Sequence, residues 1–235
     1  MPWLKPLLFT LCLAPLARLV FFAFTDRLGA NPIEFVLRSL GTWTLTLLLI
    51  TLSITPLRRL TGDRHGWRKC GKRRSSFFAW NSLIRVRRML GLFVFFYACL
   101  HFLTYAGVDQ SFDLPAILAD VVKRPYITVG FTCFVLLIPL AATSTNAMQR
   151  RLGGKRWQQL HRLVYFIAAG GVVHYLWLVK KDITQPVLYG LVLALLLGMR
   201  FAWRRRPSGR SPSVAEHLDV RERPPVQVVV NHPPA

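Results

Sequence analysis

Acidic residues and nucleotide-binding motifs are scarce in this chain of 235 residues. It has 10 Asp and Glu against 31 Lys and Arg, a net charge of +21, and 53% of its residues are hydrophobic. No GxGxxG or P-loop sequence occurs, so no nucleotide-binding domain is recognisable. The four cysteines include no CxxC pair, which predicts neither a disulfide framework nor a zinc site.

The chain is strongly basic, yet its mean hydropathy is +0.36. Its basic and its hydrophobic residues must therefore lie in separate segments of the chain. An ordinary soluble enzyme does not have this composition. Nucleic-acid binding would need the charge on a domain of its own, so we expect no nucleic-acid partner. The composition predicts a membrane protein with basic loops that lie against membrane lipids.

Apolar runs long enough to cross a bilayer, about 17–25 residues, occur six times. They predict an all-α membrane protein, a six-transmembrane helix bundle. Because further spans follow the first run, we interpret it as an anchor and not as a signal peptide. The six runs are 7–24, 40–57, 89–107, 127–144, 160–179 and 186–203.

The basic residues predict how this bundle is oriented. With six spans, 24 of the 31 Lys and Arg fall on the side of the N-terminus and six on the other side, while Arg18 lies within the first span. Cytoplasmic loops carry the excess of Lys and Arg. Both termini are therefore predicted to be cytoplasmic.

Two segments fall outside the predicted bundle, which covers residues 1–203. The loop 63–79 is polar and basic. The segment 204–235 is rich in proline and begins with a basic run, which predicts a disordered cytoplasmic tail. That run is either a lipid-binding patch or simply the flank of the last span.

Two histidines share one depth on parallel spans. His101 lies 12 residues past the inner end of the third span, and His174 lies 14 residues past that of the fifth. At 1.5 Å per residue, both are roughly 18–21 Å from the inner boundary. A bare metal ion needs more ligands than two, whereas a haem needs only axial ones. The pair predicts haem between the third and fifth spans; the alternative is that each imidazole bonds a neighbouring helix.

Small and aromatic residues surround these histidines in the sequence. Gly170 and Gly171 share the helical face of His174, and Ala98 lies three residues before His101. They predict room for a flat macrocycle, although the glycines could equally form a helix-packing contact. The predicted aromatic walls are Tyr97, Tyr105, Tyr175 and Trp177.

An ordered series of motifs makes residues 1–203 resemble a known family. The motifs are ITPLRRLTG, RVRRMLGLFVFFYACLHFLTY (85–105), RPYITVG (124–130), ATSTNAMQRRLG (142–153), WQQLHRLVY (157–165) and HYLWLVK (174–180). They resemble the MsrQ family, haem-binding membrane subunits of bacterial periplasmic methionine-sulfoxide reductase systems, which is grouped with ferric-reductase-like transmembrane proteins. Relative to that family's pattern, 63–79 is an insertion.

The resemblance implies a redox function in the bacterial inner membrane. Its members bind haem b and FMN, take electrons from the quinone pool, and pass them to a periplasmic molybdopterin partner, MsrP. MsrP, not the membrane subunit, reduces methionine sulfoxide in oxidised proteins. The family's haem-associated histidines correspond to His101, His161 and His174.

The sequence leaves three roles open for His161. On a straight helix it would lie about 20 Å below His174, so the two cannot hold one haem. It could ligate a second, inner haem, or form a pocket for quinol, flavin phosphate or haem propionate, or lie at the interface with no special role. The residues that would share such a pocket are Arg87, Arg88, Gln158 and Arg162.

Two other functions compete with that of an electron-transfer subunit. A stand-alone ferric or quinone reductase would need a flavin and nicotinamide domain, for which the C-terminal segment is too short. A histidine-relay transporter would be expected to bury Asp or Glu in its spans, and none is predicted there. If electrons leave at the periplasm, the partner should dock on loops 108–126 and 180–185, which carry Asp109, Asp113, Asp120 and Asp182.

Overall fold

The fold was analysed in a computed structural model that describes residues 4–62, 80–179 and 181–205. Every regular element within these ranges is helical. The helices are α1 (Leu4–Phe24), α2 (Pro32–Gly62), α3 (Trp80–Leu103), a π-helical turn (Thr104–Asp109), α4 (Leu114–Lys123), α5 (Pro125–Ala142), α6 (Asn146–Leu152), α7 (Gly154–Leu160), α8 (Leu163–Leu178) and α9 (Thr184–Arg205).

Five helical segments in the described ranges are long and apolar enough to cross a membrane. They are Lys5–Phe24, Pro32–Leu57, Val86–Asp109, Pro125–Ala142 and Thr184–Trp203. These correspond to five of the six predicted spans. The chain is therefore an all-helical, multi-pass membrane protein, as predicted.

The remaining predicted span, 160–179, is interrupted near its start. The helix α8 has 16 residues and begins at Leu163. The N–H of Arg162 bonds the Gln159 carbonyl three residues back, which closes a tight turn at the end of α7. The prediction of one continuous helix from residue 160 was thus wrong, because a turn at His161 and Arg162 separates α7 from α8.

The chain divides into two compact units, Met1–Gly198 and Met199–Ala235. In the first unit, α2 packs chiefly on α3 and α5 chiefly on α8, with further contacts between α3 and α5 and between α2 and α8. In the second, the described residues 199–205 are the helical end of α9. The loop 63–79 and residues 206–235 of the predicted tail lie outside the described residues.

A tyrosine of α3 completes the backbone hydrogen bonding of α1. Pro15 lies inside α1, where its ring and missing N–H disturb the helical ladder. The hydroxyl of Tyr97 donates to the Cys12 carbonyl at 2.7 Å and accepts from the Leu16 N–H at 3.2 Å. Because these two backbone groups are helical i and i+4 partners, the hydroxyl is inserted into the ladder. Tyr97 is fully buried there.

The loop predicted at 108–126 contains an amphipathic helix that the sequence analysis missed. Asp113 caps α4 by accepting the Ala116 N–H, and a proline occupies its first turn. One face of α4 buries Ile117. The opposite face exposes apolar side chains at four-residue spacing, namely Leu114, Leu118 and Val122.

Candidate functional site

An apolar cavity of about 370 Å³ lies among α2, α3, α5 and α8, and both depth-matched histidines line it. Its walls also contain the aromatic rings of Phe102, Phe131 and Phe134. The four helices that pack most closely in the bundle are thus the ones that enclose this space. The cavity brings together His101 of α3 and His174 of α8, as the sequence predicts.

The two imidazoles face each other across the cavity. Their ring centres are 6.3 Å apart and their planes are inclined by 85°. The Nδ1 atom of His101 lies 3.0 Å from the Leu37 carbonyl, and that of His174 lies 2.6 Å from the Tyr126 carbonyl. A carbonyl can only accept, so each Nδ1 carries the proton and each Nε2 keeps its lone pair. This is how metal-ligating histidines are held in proteins.

The spacing fits one metal atom shared by both rings. Metal–imidazole bonds are about 2.0–2.1 Å long, and a ring centre lies about 1 Å behind its nitrogen, so two trans ligands have ring centres roughly 6 Å apart. No group of three His, Cys, Asp or Glu side chains within the described ranges could hold a metal ion. Two ligands, an apolar slot and aromatic walls suit an iron that already has four macrocycle nitrogens.

Glycines on the neighbouring helices make room for the two rings. A Cβ atom on Gly130 would lie 2.6 Å from the Nδ1 of His174, and one on Gly41 would lie 3.2 Å from the Cε1 of His101. Each histidine therefore occupies the space that a side chain on the facing helix would fill. Sequence reasoning missed both glycines, because they lie on α5 and α2, far in sequence from the residues they accommodate.

The glycines that sequence reasoning did select have different roles. A Cβ on Gly170 would lie 2.4 Å from the Cys133 sulfur of α5, so this residue makes a helix-packing contact. Gly171 and Ala98 line the cavity. The assignment of both glycines to the space beside the imidazole was therefore right for Gly171 only.

The predicted aromatic walls are also only partly right. Tyr105 and Tyr175 line the cavity. Tyr97 instead faces α1, where its hydroxyl bonds the backbone, and Trp177 is 53% exposed. The three phenylalanines take the places of these two residues, because α3 and α5 turn them inwards.

A second, more polar cavity of about 570 Å³ adjoins the first. Arg38 and Tyr126 line both cavities, whereas Lys181 and Asp182 line only the polar one. Arg38 forms an ion pair with Glu34 at 2.6 Å. The site therefore joins an apolar slot to a charged edge.

His161 lies apart from this cavity, at the junction of α7 and α8. Its ring stacks on Trp157 with centres 4.0 Å apart, and its Nε2 lies 3.2 Å from the Thr143 hydroxyl. The Trp157 indole donates to the Thr143 carbonyl at 2.9 Å. Burial, and to a smaller extent the charge of Arg87, lowers the pKa of His161.

The polar residues predicted to surround His161 also lie away from the cavity. Arg88 donates to the side chains of Asn146 and Gln149, which joins the start of α3 to α6. Arg87, Gln158 and Arg162 are likewise absent from the walls of the apolar cavity. The structure therefore separates the cavity of the histidine pair from His161, whose described neighbours are Thr143, Trp157 and Arg87. These four residues are called the His161 cluster below.

Most of the acidic residues predicted to dock a partner have local structural roles. Asp120 accepts from the Tyr105 hydroxyl at 3.1 Å and pairs with Arg124 at 3.2 Å. Asp113 caps α4, and Asp182 accepts from the Thr184 N–H at 3.0 Å. These bonds stabilise the outer loops whether or not the same carboxylates contact another protein.

Comparison with known protein families shows the class of membrane protein to which the chain belongs. Residues 40–172 match the family model described as the ferric reductase like transmembrane component. This region contains most of α2, all of α3 and α5, and the first part of α8, so it includes His101 and ends two residues before His174. The chain is thus a ferric-reductase-like transmembrane protein.

More similar relatives define the family within that class. The protein-methionine-sulfoxide reductase heme-binding subunit MsrQ of Herminiimonas arsenicoxydans is 53% identical over 220 residues, 93% of each chain. The MsrQ protein of Ralstonia nicotianae is 54% identical, over 82% of this chain and 82% of its own length. The MsrQ protein of Bordetella pertussis is 51% identical, over 88% of this chain and 94% of its own length. The chain belongs to the MsrQ family, which confirms the resemblance seen in its motifs.

Proposed function

We propose that this chain is the haem-binding membrane subunit of a protein-methionine-sulfoxide reductase system, with haem b between α3 and α8. His101 and His174 would hold the haem iron. The observation that carries the proposal is the pair of imidazoles that line one cavity, each with Nδ1 bonded to a backbone carbonyl, which leaves the Nε2 lone pair as the donor to a metal. The names of the relatives support the same cofactor.

The haem would supply reversible one-electron chemistry in a largely apolar site. The two carbonyls fix the tautomer and the orientation of the ligand rings. The phenylalanines on α3 and α5 and the leucines on α2 keep the slot apolar. The reduction potential of a haem iron depends on its protein ligands and on the polarity around it. The two histidines and the apolar side chains of the slot would therefore set that potential.

We further propose six spans, with α8 as the fifth and both termini in the cytoplasm of a bacterial inner-membrane protein. The helix α8 would be about 24 Å long, a few ångströms short of the hydrocarbon core. Its described residues from Leu163 to Leu178 contain no Lys, Arg, Asp or Glu. The distribution of basic residues supports this orientation.

In the proposed electron route, the quinone pool supplies electrons, the haem relays them, and a periplasmic molybdopterin subunit of the MsrP kind receives them in a heterodimer. The His161 cluster is the proposed inner site for quinol or for the phosphate of FMN. Because its Nε2 already bonds Thr143, His161 is less suited to ligate a second haem. Arg87, Arg88, Gln158 and Arg162 remain its proposed polar surroundings.

The test is the visible spectrum of the purified protein and of single variants. We expect His101→Ala and His174→Ala each to lose the low-spin bis-histidine spectrum. His217→Ala, in the segment outside the described residues, is the matched control and should keep it. A complete low-spin spectrum in either cavity variant would reject the ligand assignment.

A further inference from the structure

The apolar cavity and the polar cavity share an edge, and charged residues lie along it. Four residues line both cavities: Arg38, Tyr126, Tyr175 and Leu178. The ionisable groups that line the apolar cavity, apart from the two histidines, the tyrosines and a cysteine, are Glu34, Arg38, Asp109 and Arg124. Arg38 thus joins the apolar slot to the polar cavity.

Two arginines at the cavity are held in place by carboxylates of their own segments. Arg38 pairs with Glu34 one helical turn earlier, at 2.6 Å, and Arg124 pairs with Asp120 one turn earlier, at 3.2 Å. Asp120 is itself fixed by the Tyr105 hydroxyl. Glu34 lines the apolar cavity itself, and so does Tyr126, which makes a further side-chain hydrogen bond with Arg124. Both guanidinium groups are therefore oriented at the edge of the apolar cavity.

A guanidinium has five N–H donors in a rigid fork, and one carboxylate uses at most two of them. Each arginine therefore retains donors for a further carboxylate. Haem carries carboxylates of this kind, because it is an apolar disc with two propionates on one edge. The apolar slot suits the disc, and the charged edge suits the propionates.

We propose that Arg38 and Arg124 bind the two haem propionates at the charged edge of the apolar cavity, with Arg38 on the side of the polar cavity. This inference rests on the proposed haem site between His101 and His174. It assigns the propionates to the α2 and α5 ends of the cavity. It removes that role from Arg87, Arg88 and Arg162, which do not line the cavity.

The experiment compares two macrocycles that differ only in their carboxylates. Full-length apo-protein in lipid nanodiscs is titrated with haem and with haem dimethyl ester, and binding is followed by the Soret band. The variants are Arg38→Leu and Arg124→Leu. The matched control is Arg27→Leu, which removes one charge from an exposed residue that lines neither cavity.

We expect the wild-type chain and Arg27→Leu to bind haem much more tightly than the ester. Each cavity variant should reduce that preference about 10-fold, the effect of one charge-assisted hydrogen bond. Binding of the ester should be unchanged in both, which also shows that they fold. If a Leu variant binds neither macrocycle, the Lys variant of that arginine is used. It should show a reduced preference, because an ammonium lacks the fork.

Two failures are distinguishable. If the wild-type chain binds neither macrocycle, the proposed haem function itself fails. If it binds haem but both cavity variants keep the preference of Arg27→Leu, only the assignment of the propionates fails. An effect confined to one arginine would overturn the two-arginine arrangement.

Discussion

Replacing Gly130 by alanine should weaken haem binding more than the same change at Gly41 or at Gly91. The new Cβ would lie 2.6 Å from the Nδ1 of His174 and 2.8 Å from its Cε1. Ordinary contacts begin near 3.4 Å, so the ring must retreat by several tenths of an ångström. That movement strains the 2.6 Å bond from Nδ1 to the Tyr126 carbonyl.

The expected loss of haem affinity in Gly130→Ala has two contributions. Overpacking a well-packed site costs about 1–3 kcal/mol, and a lost neutral hydrogen bond costs about 1 kcal/mol. Together they total about 2–4 kcal/mol, which is a decrease in haem affinity of roughly 30- to 700-fold at 1.4 kcal/mol per factor of ten. Helix propensity acts in the opposite direction, since alanine is favoured over glycine by about 1 kcal/mol.

A graded series of variants makes this prediction sharp. In Gly41→Ala the Cβ would lie 3.2 Å from the His101 ring, so a small adjustment suffices and the loss should be slight. In Gly91→Ala, on α3, nothing lies within 4 Å, and haem binding should be unchanged. Haem per protein and the Soret titration measure the series. Equal affinities for Gly130→Ala and Gly91→Ala would refute the steric argument.

Four further predictions concern topology, the His161 cluster and the outer loops. A reporter active only in the periplasm, fused after the last residue, should be silent; activity would overturn the orientation. His161→Ala should keep its haem content but lose quinol-driven reduction, whereas loss of about half the haem would indicate a second haem ligand. Because burial lowers the pKa of His161 from 6.5, folding should lose stability as the pH falls below about 6.5, and less so in His161→Gln. Neutralising Asp109, which accepts a hydrogen bond from the adjacent Gln110 side chain, should slow electron transfer to the proposed MsrP partner at low salt; an unchanged rate with unchanged haem binding would contradict acidic docking there.

The histidine pair was predictable because depth in a membrane helix depends only on residue count. His101 and His174 are set by the rise of two apolar helices, and no knowledge of their packing is needed. The rotation of those helices was not predictable in this way. Tyr97 faces α1 and Phe102 faces the cavity, and this difference depends on which neighbours α3 has.

The interruption at His161 was missed for a related reason. The sequence from residue 160 to 179 is apolar enough to form one helix, and hydropathy does not register a single tight turn. The turn is accompanied by contacts of His161 with Thr143 and Trp157. The contact with Thr143, which lies at the end of α5, cannot be seen in a pattern read along residues 160–179 alone.

The hydroxyl of Tyr97 has a consequence for how the protein is assembled in the membrane. When α1 enters the bilayer, its backbone groups near Pro15 have no water to bond, and each unsatisfied group in hydrocarbon costs several kcal/mol. Their partner is synthesised about 80 residues later, on α3. The nascent α1 therefore reaches its final hydrogen bonding only once α3 is inserted beside it, so the first span of the chain is completed after the third.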